Sequence, residues 1–188
     1  MKQFILGTVV MVAITGMAAC DNANNTDSKD LAEDINERKL DHTMLEDDAE
    51  FAVWAADEGL TAVRLGELAA ARADNPEVKQ LAASIVGDHT KAIDELQSLA
   101  EAKGITLPVV PGNENQNDYD RIAAKTGADF EKEYIDYTVR EHKKLVEKYQ
   151  DEADDAGDPD VRSWINAKLP VLQEHLQQAE ATQETLKK

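Results

Sequence analysis

Two pentapeptides of one design, Asn75-Pro76-Glu77-Val78-Lys79 and Asp158-Pro159-Asp160-Val161-Arg162, constrain this chain more than any other feature. Each sets a side-chain acceptor before a proline, then an acid, a valine and a base. The acceptor caps a free backbone N–H of a new helix. Proline at the first helical position forfeits nothing, because its missing N–H had no partner there. The acid suits the positive end of the helix dipole. Each pentapeptide therefore stops one helix and starts the next. The spacing predicts two antiparallel helical hairpins, 48–103 and 128–185, and two hairpins make an all-α, antiparallel four-helix bundle.

Hydrophobic periodicity fills in the four helices. Over 46–73, Phe51, Ala55, Ala62, Leu65 and Ala69 recur at helical steps. Glu58 falls on the same stripe, where a carboxylate is an anomaly. Over 76–103 the stripe is Val78, Leu81, Ile85, Ala92, Leu96 and Leu99, with His89 in the gap, and Gly104 ends the helix. Over 128–156 it is Ile135, Val139, Val146, Tyr149 and Ala153, with His142 between Val139 and Val146. Over 159–185, Val161, Ile165, Leu169, Leu172, Leu176 and Ala179 face inward, and His175 flanks them. Pro170 inside this last helix predicts a kink or a local unwinding. Trp54 and Trp164 read as core aromatics. The second-to-third helix connection, rich in Pro, Gly and Asn from 105 to 116, is long for a bundle. It either crosses the bundle end or carries a short helix near 118–125.

The start of the chain reads differently. Met1-Lys2 is a short positive end, and an apolar run of signal-peptide length follows over 4–13, too short to span a membrane permanently. It leads to Met17-Ala18-Ala19-Cys20, which resembles a bacterial lipobox. Residues 1–19 then read as a lipoprotein signal peptide with Cys20 as the lipid-bearing residue, the alternative being an ordinary secretory signal followed by an incidental cysteine. Asp21 resembles the inner-membrane retention signal of enteric-type lipoproteins. This places the domain on the periplasmic face of the cell envelope, attached to the membrane through lipid. Residues 20–45 form a flexible tether, with 31–45 either a short helix or more tether, and 46–186 the bundle.

Charge and composition exclude several functions. The formal net charge is −18. Such a surface repels nucleic acid and anionic lipid headgroups alike. A single cysteine permits no intramolecular disulfide. The sequence holds no Ser-His-Asp set, Gly-rich phosphate loop or nucleophilic cysteine, so it supports no enzyme assignment. Acidic runs such as Glu46-Asp47-Asp48 and 151–158 read as solvated surface or helix-end charge. A protein partner or a homo-oligomer stays open.

The chemistry concentrates in the histidines. Each of the four follows an acid: Asp41-His42, Asp88-His89, Glu141-His142 and Glu174-His175. Adjacent residues on a helix do not share a face, so each acid is free to serve a neighbouring helix instead. Glu58, His89, His142 and His175 lie 14 to 17 residues from their own hairpin turn. If the two turns sit at one end of the bundle, the four share a layer, with Asp88, Glu141 and Glu174 at its edge. Three imidazoles and a carboxylate suit Zn, Cu, Fe or Ni. The alternative is a structural layer in which Glu and His bond one another and set register without an ion.

Several stretches carry a resemblance. They are Phe51-Ala52-Val53-Trp54-Ala55-Ala56, the turn at Asn75-Pro76, Gly87-Asp88-His89-Thr90-Lys91-Ala92, Gly104-Ile105-Thr106-Leu107-Pro108, and 169–176 with Leu169-Pro170 and His175. Together they resemble the bacterial DUF4142 family over about 46–182. The resemblance implies an exported, ferritin-like four-helix domain without an assigned activity. The chain departs from the ferritin-type di-iron pattern, which needs Glu three residues before His on two helices. Val86 precedes His89 by three and Leu172 precedes His175 by three.

Overall fold

The computed structural model describes residues 27–187. Among them are six helices and no strand: α1 Ser28–Leu40, α2 Glu46–Arg72, α3 Pro76–Lys103, α4 Asn113–Ala123, α5 Gly127–Asp155 and α6 Pro159–Leu186. The expected signal stretch, Cys20 and Asp21 lie outside the described residues. Among the described residues no helix is long and apolar enough to cross a membrane. Asn75 Oδ1 caps α3 by accepting from Glu77 N at 2.8 Å and Val78 N at 3.3 Å. Asp158 Oδ1 caps α6 in the same way, from Asp160 N at 2.9 Å and Val161 N at 3.2 Å. Gly104 closes α3 at φ 74°, a left-handed turn that suits a residue without Cβ. The unwinding expected at Pro170 does not occur, and α6 stays helical throughout. Pro170 and Asn166 both lie on the exposed face, where water can take up the carbonyl bond that proline forgoes.

Two buried carboxylates reveal how the hairpins are joined. Asp48, at the start of α2, accepts from Gly157 N at 3.0 Å and Asp158 N at 2.7 Å in the α5–α6 turn. Glu131, near the start of α5, accepts from Asp74 N at 2.5 Å and Asn75 N at 2.7 Å in the α2–α3 turn. Each hairpin therefore holds the other's turn, and the two turns sit at opposite ends. This corrects the expectation of a common end. Of the two readings of its acidic run, Asp48 is a helix-end charge in the first turn of α2 and not a solvated one, because the residue is fully buried. Lys103 at the end of α3 adds ion pairs to Asp158 (2.6 Å) and Asp160 (2.7 Å) at the start of α6.

The four long helices pack as a ring, with α2 on α3, α3 on α6, α6 on α5 and α5 on α2. All ring neighbours run antiparallel. The helices on either side of the 104–126 connection, α3 and α5, run the same way. That connection must therefore return along the length of the molecule, and it does so against α2. Asn36 of α1 holds its beginning through a reciprocal pair, Nδ2 to Thr106 O (2.8 Å) and Thr106 N to Oδ1 (2.7 Å). Buried Asp57 holds its middle, accepting from Gly112 N (2.7 Å) and Asn115 Nδ2 (2.9 Å). Arg64 to Gln116 (2.6 Å) and Arg72 to Ala123 O (2.9 Å) hold α4 to α2. So the expected four helices become six. Of the 31–45 stretch, residues 31–40 belong to a packed helix, Ser28–Leu40, that buries Ala32, Asn36 and Leu40, and 41–45 form a turn; the crossover helix starts earlier than expected, at Asn113.

The core is split in two. One apolar cluster gathers Phe51, Leu96, Leu145, Tyr149, Trp164 and Leu172 near the α5–α6 turn. The other gathers Leu65, Leu81, Ile85, Phe130, Tyr134 and Ile135 near the α2–α3 turn. Each fully buried Leu, Ile or Phe supplies about 1.5–3 kcal/mol. Phe51 meets Tyr149 edge-on at 5.1 Å, and Trp164 stands 5.8 Å from Tyr149. Gly66 lets α2 and α3 approach closely, since a Cβ there would lie 2.7 Å from Val86 Cγ2. Between the two clusters lies a thin polar layer.

Candidate metal centre

Three helices supply the layer. His89 from α3, His142 from α5 and His175 from α6 are all buried, and one ring nitrogen of each lies within 4.8 Å of the other two. Ring centroids are 5.5 Å apart for His89–His142, 5.7 Å for His89–His175 and 5.4 Å for His142–His175. The convergence survives although the turns lie at opposite ends. Each histidine sits close to the midpoint of a helix of 28 or 29 residues, so its height is nearly the same counted from either end.

Hydrogen bonds settle which nitrogen faces inward in two of the rings. His142 Nδ1 lies 3.0 Å from the Thr138 carbonyl oxygen. A carbonyl only accepts, so Nδ1 carries the proton and Nε2 keeps its lone pair. His175 Nε2 lies 3.1 Å from Asp88 Oδ2 and donates to it, leaving Nδ1 with the lone pair. Thus Asp88 orients an imidazole on the neighbouring helix, not the one beside it in sequence. The nitrogens left over are His142 Nε2, His175 Nδ1 and His89 Nε2. All three are buried without a hydrogen-bond partner. An unmet buried polar atom costs about 1–3 kcal/mol. Three of them converge here.

Burial keeps the rings neutral. It pushes His89 well below the ordinary histidine value, with His142 and His175 adding to the effect. It pushes His142 down to about 4, helped by His175 and opposed by the Thr138 carbonyl. It lowers His175 as well, against the pull of Asp88 and Glu174. Neutral imidazole is the form that binds a metal.

The carboxylates are placed differently. Glu58 on α2 is buried near the same level, but its Oε1 accepts from Lys144 Nζ at 2.8 Å. Burial raises its carboxyl above the ordinary range, against the pull of Lys144. Glu58 is not among the groups that converge with the rings. Glu141 accepts from Arg140 Nε at 2.8 Å and lies 3.7 Å from Lys144 Nζ. Glu174 is exposed and accepts from Gln178 at 3.0 Å. The structure therefore brings together the three histidines, sets Asp88 behind one of them, and leaves Glu58, Glu141 and Glu174 in other partnerships. A second group, Asp41, His42 and Glu46, is exposed at the α1–α2 turn. There Glu46 accepts from the His42 backbone N–H at 3.0 Å, and the His42 ring lies 3.1 Å from Asp41.

Two residues of the layer escaped the sequence. Thr138 stands four before His142, a helical spacing at which a histidine can reach the backbone carbonyl. Lys144 meets Glu58 across helices, and no local spacing announces that pair.

The model of a family described as a domain of unknown function, DUF4142, matches residues 37–182. No curated protein and no solved structure matches the chain.

Proposed function

For this chain, which belongs to the DUF4142 family, we propose a bundle that binds one transition-metal ion through His89, His142 and His175. The carrying observation is the convergence of three buried, partnerless ring nitrogens from three separate helices. Two of the rings are held by outer partners, Thr138 and Asp88, in the tautomer that leaves a lone pair inward. Such outer bonds orient metal-binding imidazoles in general. An all-nitrogen donor set suits Zn, Cu, Ni or Fe and disfavours Ca and Mg, which take oxygen. Metal–nitrogen bonds of about 2.0–2.1 Å require the three nitrogens to draw in to about 3.3 Å from one another, a modest side-chain adjustment. A structural Glu–His layer is less well supported, because Glu58 pairs with Lys144 and the inward nitrogens pair with nothing.

The framework fits a ferritin-like four-helix bundle, with antiparallel ring neighbours and one long crossover. Val86 and Leu172 stand where a di-iron centre would have glutamates, so the proposed role is holding a single ion, as in metal sequestration or envelope stress. Lipid attachment at Cys20 on the periplasmic side, with Asp21 favouring the inner membrane under enteric-type sorting, belongs to the same proposal.

Elemental analysis of protein purified without a histidine tag tests it. Stoichiometric metal in the unmodified chain, lost in His142→Ala with helicity retained, is expected. No bound metal, together with no rise in Tm on adding Zn, Cu, Ni or Fe ions, would overturn it. At a free ion concentration a hundredfold above Kd, stabilisation is about 2.7 kcal/mol. That is a rise of roughly 5–10 °C for a domain of this size.

A further inference from the structure

We infer that the groove between α3 and α6 admits a small anion from solvent to the open coordination position of the three-histidine centre. The inference rests on the proposed metal site and adds the class of its fourth ligand and the route by which it arrives. Three neutral imidazoles contribute no negative charge, so a divalent ion among them keeps its full double charge in an apolar interior. A buried, uncompensated charge is costly, and an anion at close range relieves it. The nearest buried carboxylate on the fourth helix, Glu58, is committed to Lys144 at 2.8 Å. Asp88 lends charge through His175 but does not converge with the rings, so a charged fourth ligand must come from outside.

The two faces of the layer differ in what they admit. On the α2–α5 side, Glu58, Tyr137, Glu141 and His142 line a cavity of only ≈ 10 Å³. That is space for a single water at most. On the α3–α6 side, Asp88, His89, Ala92, Tyr149, Lys168 and Leu172 line a groove of ≈ 360 Å³. His89 forms part of its wall, so its contents lie one ring away from the converging nitrogens. Asp88, bonded to His175, forms another part. The charged groups facing it are Asp88, Lys91, Glu95 and Lys168. Lys91 and Lys168 both pair with Glu95. Asp88 is engaged by His175. These pairings leave the groove without a large field of its own, and the buried ion is the charge that draws an anion inward. Small linear anions fit beside Ala92 and Leu172. Cation ligands are repelled by the ion.

The Co2+-loaded protein with azide as the probe tests the inference through the visible spectrum. Azide is expected to change the spectrum saturably. Ala167→Trp, an exposed position on the groove wall, should weaken azide binding tenfold or more. Ala92→Leu should narrow the groove from the α3 side and weaken it by a smaller factor. Lys125→Ala, exposed between α4 and α5 and away from both the groove and Glu58, should leave azide affinity within twofold. A stoichiometric Co2+ protein whose spectrum ignores azide overturns the inference while leaving the metal site standing. So does an azide response that both groove substitutions leave unchanged. A spectrum already altered in Glu58→Gln before azide is added assigns the fourth ligand to Glu58 and also overturns it. A chain that takes up no Co2+ removes the centre and its groove function together.

Discussion

Buried polar groups occur in two settings in this molecule, at the bundle ends and in its middle. At the ends, Asp48 and Glu131 each accept two backbone N–H bonds from a turn of the other hairpin. Their acceptor capacity is used, and the N–H groups they meet would otherwise be stranded. In the middle, His89, His142 and His175 turn three ring nitrogens toward one another that bond to nothing there. The two end carboxylates are thus satisfied, whereas three ring nitrogens gather unmet at the centre; Tyr134 Oη and Trp164 Nε1, also unmet, stand singly in the two apolar clusters. The ends serve structure. The centre holds the three nitrogens on which the proposed metal site rests.

That contrast is open to direct attack. The largest effect belongs to the ends. Glu131→Ala strands two backbone N–H groups and is expected to lower unfolding free energy by about 3 kcal/mol. Asp48→Ala should do the same at the opposite end. Urea denaturation measures both, and losses below about 1 kcal/mol would erase the distinction between ends and centre.

Acid sensitivity comes next and belongs to the centre. In the unfolded chain a histidine takes its proton near pH 6.5, whereas in the folded state His142 resists it down to about 4. Between those values the unfolded state binds more protons. The stability contribution is therefore complete above about pH 6.5 and is lost as pH falls toward 4. Burial raises the carboxyls of Glu58 and Asp57, which act in the opposite direction at low pH. The histidine share is thus best read as a difference between proteins. Metal-free unmodified protein should lose about 2 kcal/mol more than His142→Leu between pH 7 and pH 4.5. Parallel curves would deny that the ring is held neutral.

Smaller still is the effect of His142→Leu at neutral pH. Removing an unmet polar atom from a dry layer should leave the metal-free protein unchanged or more stable by up to about 1 kcal/mol. A loss above about 2 kcal/mol would mean that the ring does structural work after all. The smallest effect is expected for Glu58→Gln. Its amide oxygen still accepts from Lys144, so stability should move by less than about 1 kcal/mol. Bound metal per chain should not change.

Much of this was legible in the residues. The two proline turns announced both hairpins, because capping and proline chemistry are local. The helical stripes announced which faces are buried, and His89, His142 and His175 stood in those stripes or beside them. Their meeting was legible for a reason other than the one the sequence suggested. Counting from turns presumed to share an end produced the right layer, since a helix midpoint is equidistant from both ends. The direction of the second hairpin was not legible, because it depends on where 104–126 runs, and that is decided by Asn36 and Asp57 acting from distant helices. Nor was the fate of Glu58, since its partner Lys144 lies 86 positions away. Asp48 read as solvated surface or helix-end charge, and only its contact with the other hairpin's turn makes that helix-end acid an interior group.

The grip of Glu131 on the α2–α3 turn also works as a ruler. It pins the start of α5 against the start of α3, so the heights of His142 and His89 are counted from a shared mark. One residue inserted between Glu131 and His142 would swing that ring by about 100° and move it about 1.5 Å along the axis, out of reach of its two companions. Lengthening the chain at Val109 or Val110, both exposed in the crossover, would leave the rings where they are.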